Sequence, residues 1–96
     1  MGRIGEVIQS PLFAKQKKKL NRKHLKNLDE AIQLIMKNPE IGSSKSGDLQ
    51  GIRVYKFKLD SNLILIAYEN VGTRLYLYTF GSHENFYRKL SRYIHR

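Results

Sequence analysis

Lys56 and Lys58 sit two residues apart in Tyr55-Lys56-Phe57-Lys58-Leu59. β-Branched and aromatic residues alternate with others around this stretch, so it reads as a β-strand. Side chains alternate across a strand, which puts Tyr55, Phe57 and Leu59 on one face and both lysines on the other. Burying a lysine is costly, so the lysine face is expected to be open. Two ammonium groups side by side on a rigid element suit an anion such as a phosphodiester. Taken alone, the pair reads better as a half-exposed strand with solvated lysines. A second pair stands further on: His83 and Tyr87 are four apart in a helical pattern and share a neighbouring face.

Positioning these side chains needs a sheet with a helix beside it, and the chain carries both patterns. Residues Met1 to Gln9 hold Ile4, Val7 and Ile8, enough for a short edge strand or a loose arm. Ser10-Pro11 starts a helix, with serine as the cap and proline at the first helical position. Leu12, Phe13 and Leu20 give it a thin apolar stripe. Lys15-Gln16-Lys17-Lys18-Lys19 reads mainly as a solvated face that sums to a basic ridge. Asn21 breaks or restarts the helix. A second helical pattern runs to about Lys37, with Leu25, Leu28, Ile32, Ile35 and Met36 on one buried face. Asn38-Pro39 ends it. The two helices are expected to pair as an antiparallel hairpin, with His24 at the surface near their junction.

Residues 38–51 form a loop rich in Gly, Ser, Pro and Asn. Lys45 and Ser46 lie within reach of a phosphate there, but a plain connector is the better reading. Three strands follow, at about 52–59, 63–69 and 74–80. Asp60-Ser61-Asn62 and Asn70-Val71-Gly72-Thr73 join them as an antiparallel meander. Leu63 to Tyr68 is nearly all apolar, so it is the expected central strand, covered at least in part on both faces. A last helix runs from about His83 to Ile94, with Ser82 as cap and Glu84 in the first turn. Phe86, Leu90 and Ile94 form its apolar stripe, and His95 is expected to be inert. The order predicts an α+β fold: an N-terminal helical hairpin packed on a small antiparallel sheet and closed by a C-terminal helix. One domain over residues 1–96 is expected.

Composition narrows the partners. A hydrophobic content of 41% excludes a disordered tail. The net charge of +10, from 18 basic and 8 acidic residues, favours nucleic acid, an acidic protein partner, or both. The absence of cysteine excludes disulfides and cysteine metal sites. No apolar run approaches membrane-spanning length, and no apolar signal core opens the chain, so a cytoplasmic protein without membrane contact is expected.

The ordered set of motifs resembles the RelE/ParE family of toxins from bacterial type II toxin–antitoxin modules. The resemblance covers nearly the whole chain. It rests on Leu28-Asp29-Glu30-Ala31-Ile32, Asn38-Pro39-Glu40-Ile41-Gly42 and Gly47-Asp48-Leu49-Gln50-Gly51-Ile52. It continues through the lysine strand and ends with Gly81-Ser82-His83-Glu84-Asn85-Phe86-Tyr87. The family implies two activities on one fold: ribosome-dependent cleavage of mRNA, or poisoning of DNA gyrase without nuclease chemistry. A relative that has lost activity and only binds its antitoxin is the third possibility. The resemblance also implies an acidic, partly disordered antitoxin as partner, and operator DNA only through the antitoxin complex.

Residue by residue, the resemblance favours the nuclease. Lys56 and Lys58 match two catalytic lysines that activate the 2′-hydroxyl and hold the phosphate. Tyr87 matches a tyrosine that stacks on or orients the nucleotide. Gly81-Ser82-His83 is similar to a Gly-Thr-His segment of YafQ-type nucleases, whose histidine is a proposed acid–base group. Such chemistry needs a base, an acid at the leaving 5′-oxygen and cations on the phosphorane, and lysines meet the last need without a metal or cofactor. A histidine titrates near neutrality and suits proton transfer. One departure stands out. Tyr68 matches a family tyrosine, but Leu65 occupies the place of the arginine before it. Arg53, Arg74 and Arg88 are therefore the candidate RNA-phosphate contacts, although strict alternation points Arg53 away from the two lysines.

Overall fold

The structure is a computed structural model that describes residues 4–94, without the side chains of Glu84, Asn85, Lys89, Ser91, Tyr93 and Ile94. The expected roles of Glu84, Ile94 and His95 therefore fall outside what is described. The chain runs β1 (Glu6–Gln9), α1 (Pro11–Lys18), α2 (Arg22–Lys37), β2 (Ser43–Ser44), a single 3-10 turn at Gly47–Leu49, β3 (Arg53–Leu59), β4 (Asn62–Val71), β5 (Arg74–Ser82) and α3 (His83–Ile94).

Local chemistry places the helix boundaries. The Ser10 hydroxyl accepts from the Phe13 N–H at 2.9 Å and donates to the Tyr78 carbonyl at 2.6 Å, so the α1 cap also ties α1 to β5. Asn21 restarts the chain as the α2 cap, its side chain accepting from the His24 N–H at 2.8 Å. α2 stops at Asn38, before Pro39.

The five strands form one sheet in the order β1-β5-β4-β3-β2. β4 is central among the three meander strands, as its unbroken apolar run predicts. Its side chains divide between two cores. Ile64, Ile66 and Tyr68 pack with Phe13 of α1 and with Leu28, Ala31, Ile32 and Ile35 of α2. Leu65 and Ala67 pack with Ile52, Val54 and with Phe86 and Leu90 of α3. Burying both faces of one strand removes the polar alternation that a half-exposed strand shows.

Two expectations about the architecture change. The short edge strand offered as one alternative for residues 1–9 forms ahead of the helices, and this β1 pairs parallel with β5, Val7 opposite Leu75 and Ile8 opposite Tyr76. The sheet is therefore mixed, not purely antiparallel. The helices also divide: α1 and α2 cover one face and α3 covers the other. Parallel pairing joins residues some seventy positions apart, and no local pattern in a four-residue strand reports it. Among the described residues no helix is long and apolar enough to cross a membrane.

Candidate active site

The pleat of β3 sorts its side chains. Val54 enters the α3-side core, while Tyr55 and Phe57 lean on the core under α1 and α2. Lys56 and Lys58 follow Val54 on the α3 side, and both are exposed. β2 pairs only with Arg53 and Val54, so it leaves the lysine half of β3 uncovered along its outer edge.

Strand register carries the site across the sheet. Lys58 is opposite Leu63, and Lys56 is opposite Leu65, which is opposite Gly81 on β5. Adjacent strands lie about 4.8 Å apart, so the backbones of Lys56 and Gly81 are about 10 Å apart across β4. Two residues beyond Gly81, β5 turns directly into α3 and presents His83, which is exposed. The His83 ring meets the Tyr87 ring edge-on, with centroids 6.0 Å apart. Tyr87 is half-buried, packed edge-on against Phe86 at 5.0 Å and against the α3-side core. Lys56, Lys58, His83 and Tyr87 thus share one side of the sheet.

The ammonium groups on this side can hold a polyanion, His83 can exchange protons, and the Tyr87 ring offers a stacking surface. Leu63, 40% exposed beside Lys58, adds an apolar patch to the floor. Leu65 is fully buried beneath Phe86 and Leu90, so the position that the family resemblance assigns to an arginine is here part of a core.

The three arginines lie elsewhere. Arg53 faces the α1–α2 side, where its Nη1 donates to the carbonyls of Gly42 at 2.7 Å and Glu40 at 3.2 Å. It braces the loop after α2 and is not part of the lysine face. Arg74 opens β5 at the opposite end of the sheet, with its Nε 3.3 Å from Glu6 on β1. Seven residues separate it from Gly81, about 23 Å of strand. Arg88 is exposed on α3, roughly 160° around the helix from Phe86 and Leu90, and so points away from the sheet. The partners of Arg53 and Arg74 come from distant segments, which residue type alone does not report.

Tyr68 likewise has a structural part. It is fully buried on the α1–α2 side, and its hydroxyl donates to the Pro39 carbonyl at 2.8 Å and accepts from the Gly42 N–H at 2.9 Å. Burial pushes its phenol pKa up. His24 is only partly at the surface: its Nε2 is 2.8 Å from Asp60 Oδ2, and Lys23 Nζ is 2.8 Å from Asp60 Oδ1. These contacts, that of Lys23 first, hold the Asp60 carboxyl well below its ordinary value, at about 2. They pin the start of α2 to the turn that follows Lys58.

The sequence favours a plain connector over a phosphate contact at Lys45, yet its Nζ lies 5.5 Å from the centre of the Tyr87 ring. Its loop setting among Gly and Ser carries no periodic signal that could have pointed there.

No curated protein matches the chain. Among solved structures, a mutant of E. coli toxin RelE in the free state superposes with a TM-score of 0.70 at 17% identity, covering 98% of this chain and 95% of that one. A chain of the intact E. coli RelBE toxin–antitoxin complex gives 0.64 at 19% identity, covering 81% and 95%. YafQ from E. coli gives 0.53 at 17% identity, covering 84% and 96%. At these identities the likeness establishes a shared fold. A sequence model matches residues 7–91, nearly the full length. The chain therefore belongs to the ParE-like toxins of type II bacterial toxin–antitoxin systems.

Proposed function

We propose that this toxin is an endoribonuclease that cleaves mRNA on the ribosome, and that a cognate antitoxin neutralises it. The observation that carries the reading is the pairing of Lys56 and Lys58 on one open face, with His83 entering the same side from across β4. Attack of the 2′-hydroxyl on the adjacent phosphorus forms a bond to phosphorus and releases the 5′-oxygen. The base must take the 2′ proton, and an acid must return one to the leaving oxygen. Lys56 and Lys58 hold the phosphate, assist the 2′-hydroxyl and neutralise charge on the phosphorane. His83 serves the proton transfer, and Tyr87 orients the nucleotide.

The shared fold with RelE and YafQ supports this reading. The RelBE complex supports antitoxin binding, and a charge of +10 suits an acidic partner. A specific observation favours a second reading, inhibition of DNA gyrase: the family model is ParE-like, and Leu65 is sealed in a core instead of offering a cation to the site. Primer-extension mapping of mRNA in cells expressing the protein separates the two. Codon-phased cuts support the nuclease. Intact mRNA together with DNA double-strand breaks and SOS induction supports gyrase inhibition.

A further inference from the structure

The loop after β2 adds a cation that motif comparison does not assign. The Lys45 N–H donates to the Ile52 carbonyl at 3.0 Å, extending the β2–β3 pairing one step past Ser44 and Arg53. Directly opposed residues of an antiparallel pair share a face, and Ile52 belongs to the α3-side core. Lys45 therefore emerges on the side that carries Lys56 and Lys58. Its ammonium sits over the Tyr87 ring at 5.5 Å, and the edge-on neighbours of that ring are Phe86 and His83. Ile52 and Lys56 are four positions apart, so the backbones of Lys45 and Lys56 are about 14 Å apart. That separation suits two phosphates of one extended strand, with the Tyr87 ring available to a base beside them.

We propose that Lys45 is a binding residue of the RNA site: it holds the Tyr87 ring by a cation–π contact and binds a phosphate of the same strand that flanks the scissile one. This rests on the nuclease reading and adds to it a contact from outside the lysine strand. Lys45 touches neither the 2′-hydroxyl nor the leaving oxygen, so its loss acts on RNA affinity.

The test uses the whole protein and a short fluorescent single-stranded RNA whose 2′-hydroxyls are methylated, so that it binds but cannot be cut. Affinity is measured by anisotropy over a range of KCl for wild type, Lys45→Met and Lys45→Arg, with melting curves as a control on folding. Removing one phosphate contact should lower the salt slope by about 0.7 and weaken binding roughly tenfold at low salt. Lys45→Arg, which keeps the charge and the ring contact, should restore both. A packing role alone would leave the salt slope unchanged. Equal slopes and affinities for wild type and Lys45→Met overturn the proposal, and so does failure of the wild type to bind this RNA. A wild type that binds with the expected slope but cuts no mRNA on programmed ribosomes sinks the nuclease reading while leaving the Lys45 phosphate contact standing.

Discussion

Lys56 and Leu65 are direct partners in the β3–β4 ladder and point to the same side of the sheet, yet Lys56 is open to solvent and Leu65 is fully sealed. The boundary between them is set by α3. Phe86 and Leu90 cover β4, and β3 lies beyond the helix from Lys56 onward. A single cross-strand step thus separates an apolar floor from a cationic rim.

Leu65→Ala should open a cavity under Phe86 and Leu90 and destabilise the fold by about 2–5 kcal/mol. Urea unfolding measures this directly, and a change under about 1 kcal/mol would mean that α3 does not pack as described.

Lys56→Ala with Lys58→Ala should abolish growth arrest while leaving the melting curve intact, because both side chains are solvated. Cleavage on programmed ribosomes should fall by on the order of 10²–10³ or more. A double variant that is folded and fully toxic would exclude the nuclease and favour a gyrase-binding surface.

His83→Gln should retain the hydrogen-bonding shape of the side chain and lose proton transfer, lowering the single-turnover rate by on the order of 10²–10⁴. RNA binding should survive, since the lysines supply the phosphate affinity. Equal rates for the two proteins across pH would remove His83 from the mechanism.

Tyr68→Phe should leave the Pro39 carbonyl and the Gly42 N–H without their partner and cost about 1–3 kcal/mol. Its cleavage rate per folded molecule should match wild type, because Tyr68 faces away from Lys56. Gly42→Ala should also be destabilising, by steric overlap, since a Cβ there would meet the Tyr68 hydroxyl at 2.8 Å.

Asp60→Asn tests the tie between α2 and the β3–β4 turn. Asp60 has φ 57, a region that asparagine tolerates, so the change removes charge without adding strain. The Asp60 pKa is lowered from 3.8 to about 2, so the carboxylate contributes to stability above the upper value and ceases to as pH falls through the lower. Wild type should lose stability relative to Asp60→Asn across that window, by a small amount for so exposed a group. Melting temperatures of both proteins measured against pH should converge at the acid end, and curves that stay parallel would refute the linkage.

Much of this molecule is written in local pattern. Ser10-Pro11 and Asn21 carry the chemistry of helix starts, Asn38-Pro39 that of a stop, and both caps form as those residues require. The apolar run at Leu63–Tyr68 marks the central meander strand, and period-2 alternation by itself puts Lys56 and Lys58 on one face. These features depend on neighbours a few residues away, and a sequence displays such neighbours directly. Tertiary structure decided the rest. It placed β1 parallel to β5, put α3 on the face opposite α1 and α2, and buried Leu65. It also drew Arg53 to the Gly42 carbonyl, Arg74 to Glu6 and Lys45 to Tyr87. Each of these outcomes depends on groups brought together from far along the chain. A charged side chain declares its sign in the sequence, but what it pairs with is settled only when the sheet closes and each backbone carbonyl, carboxylate and ring takes its place.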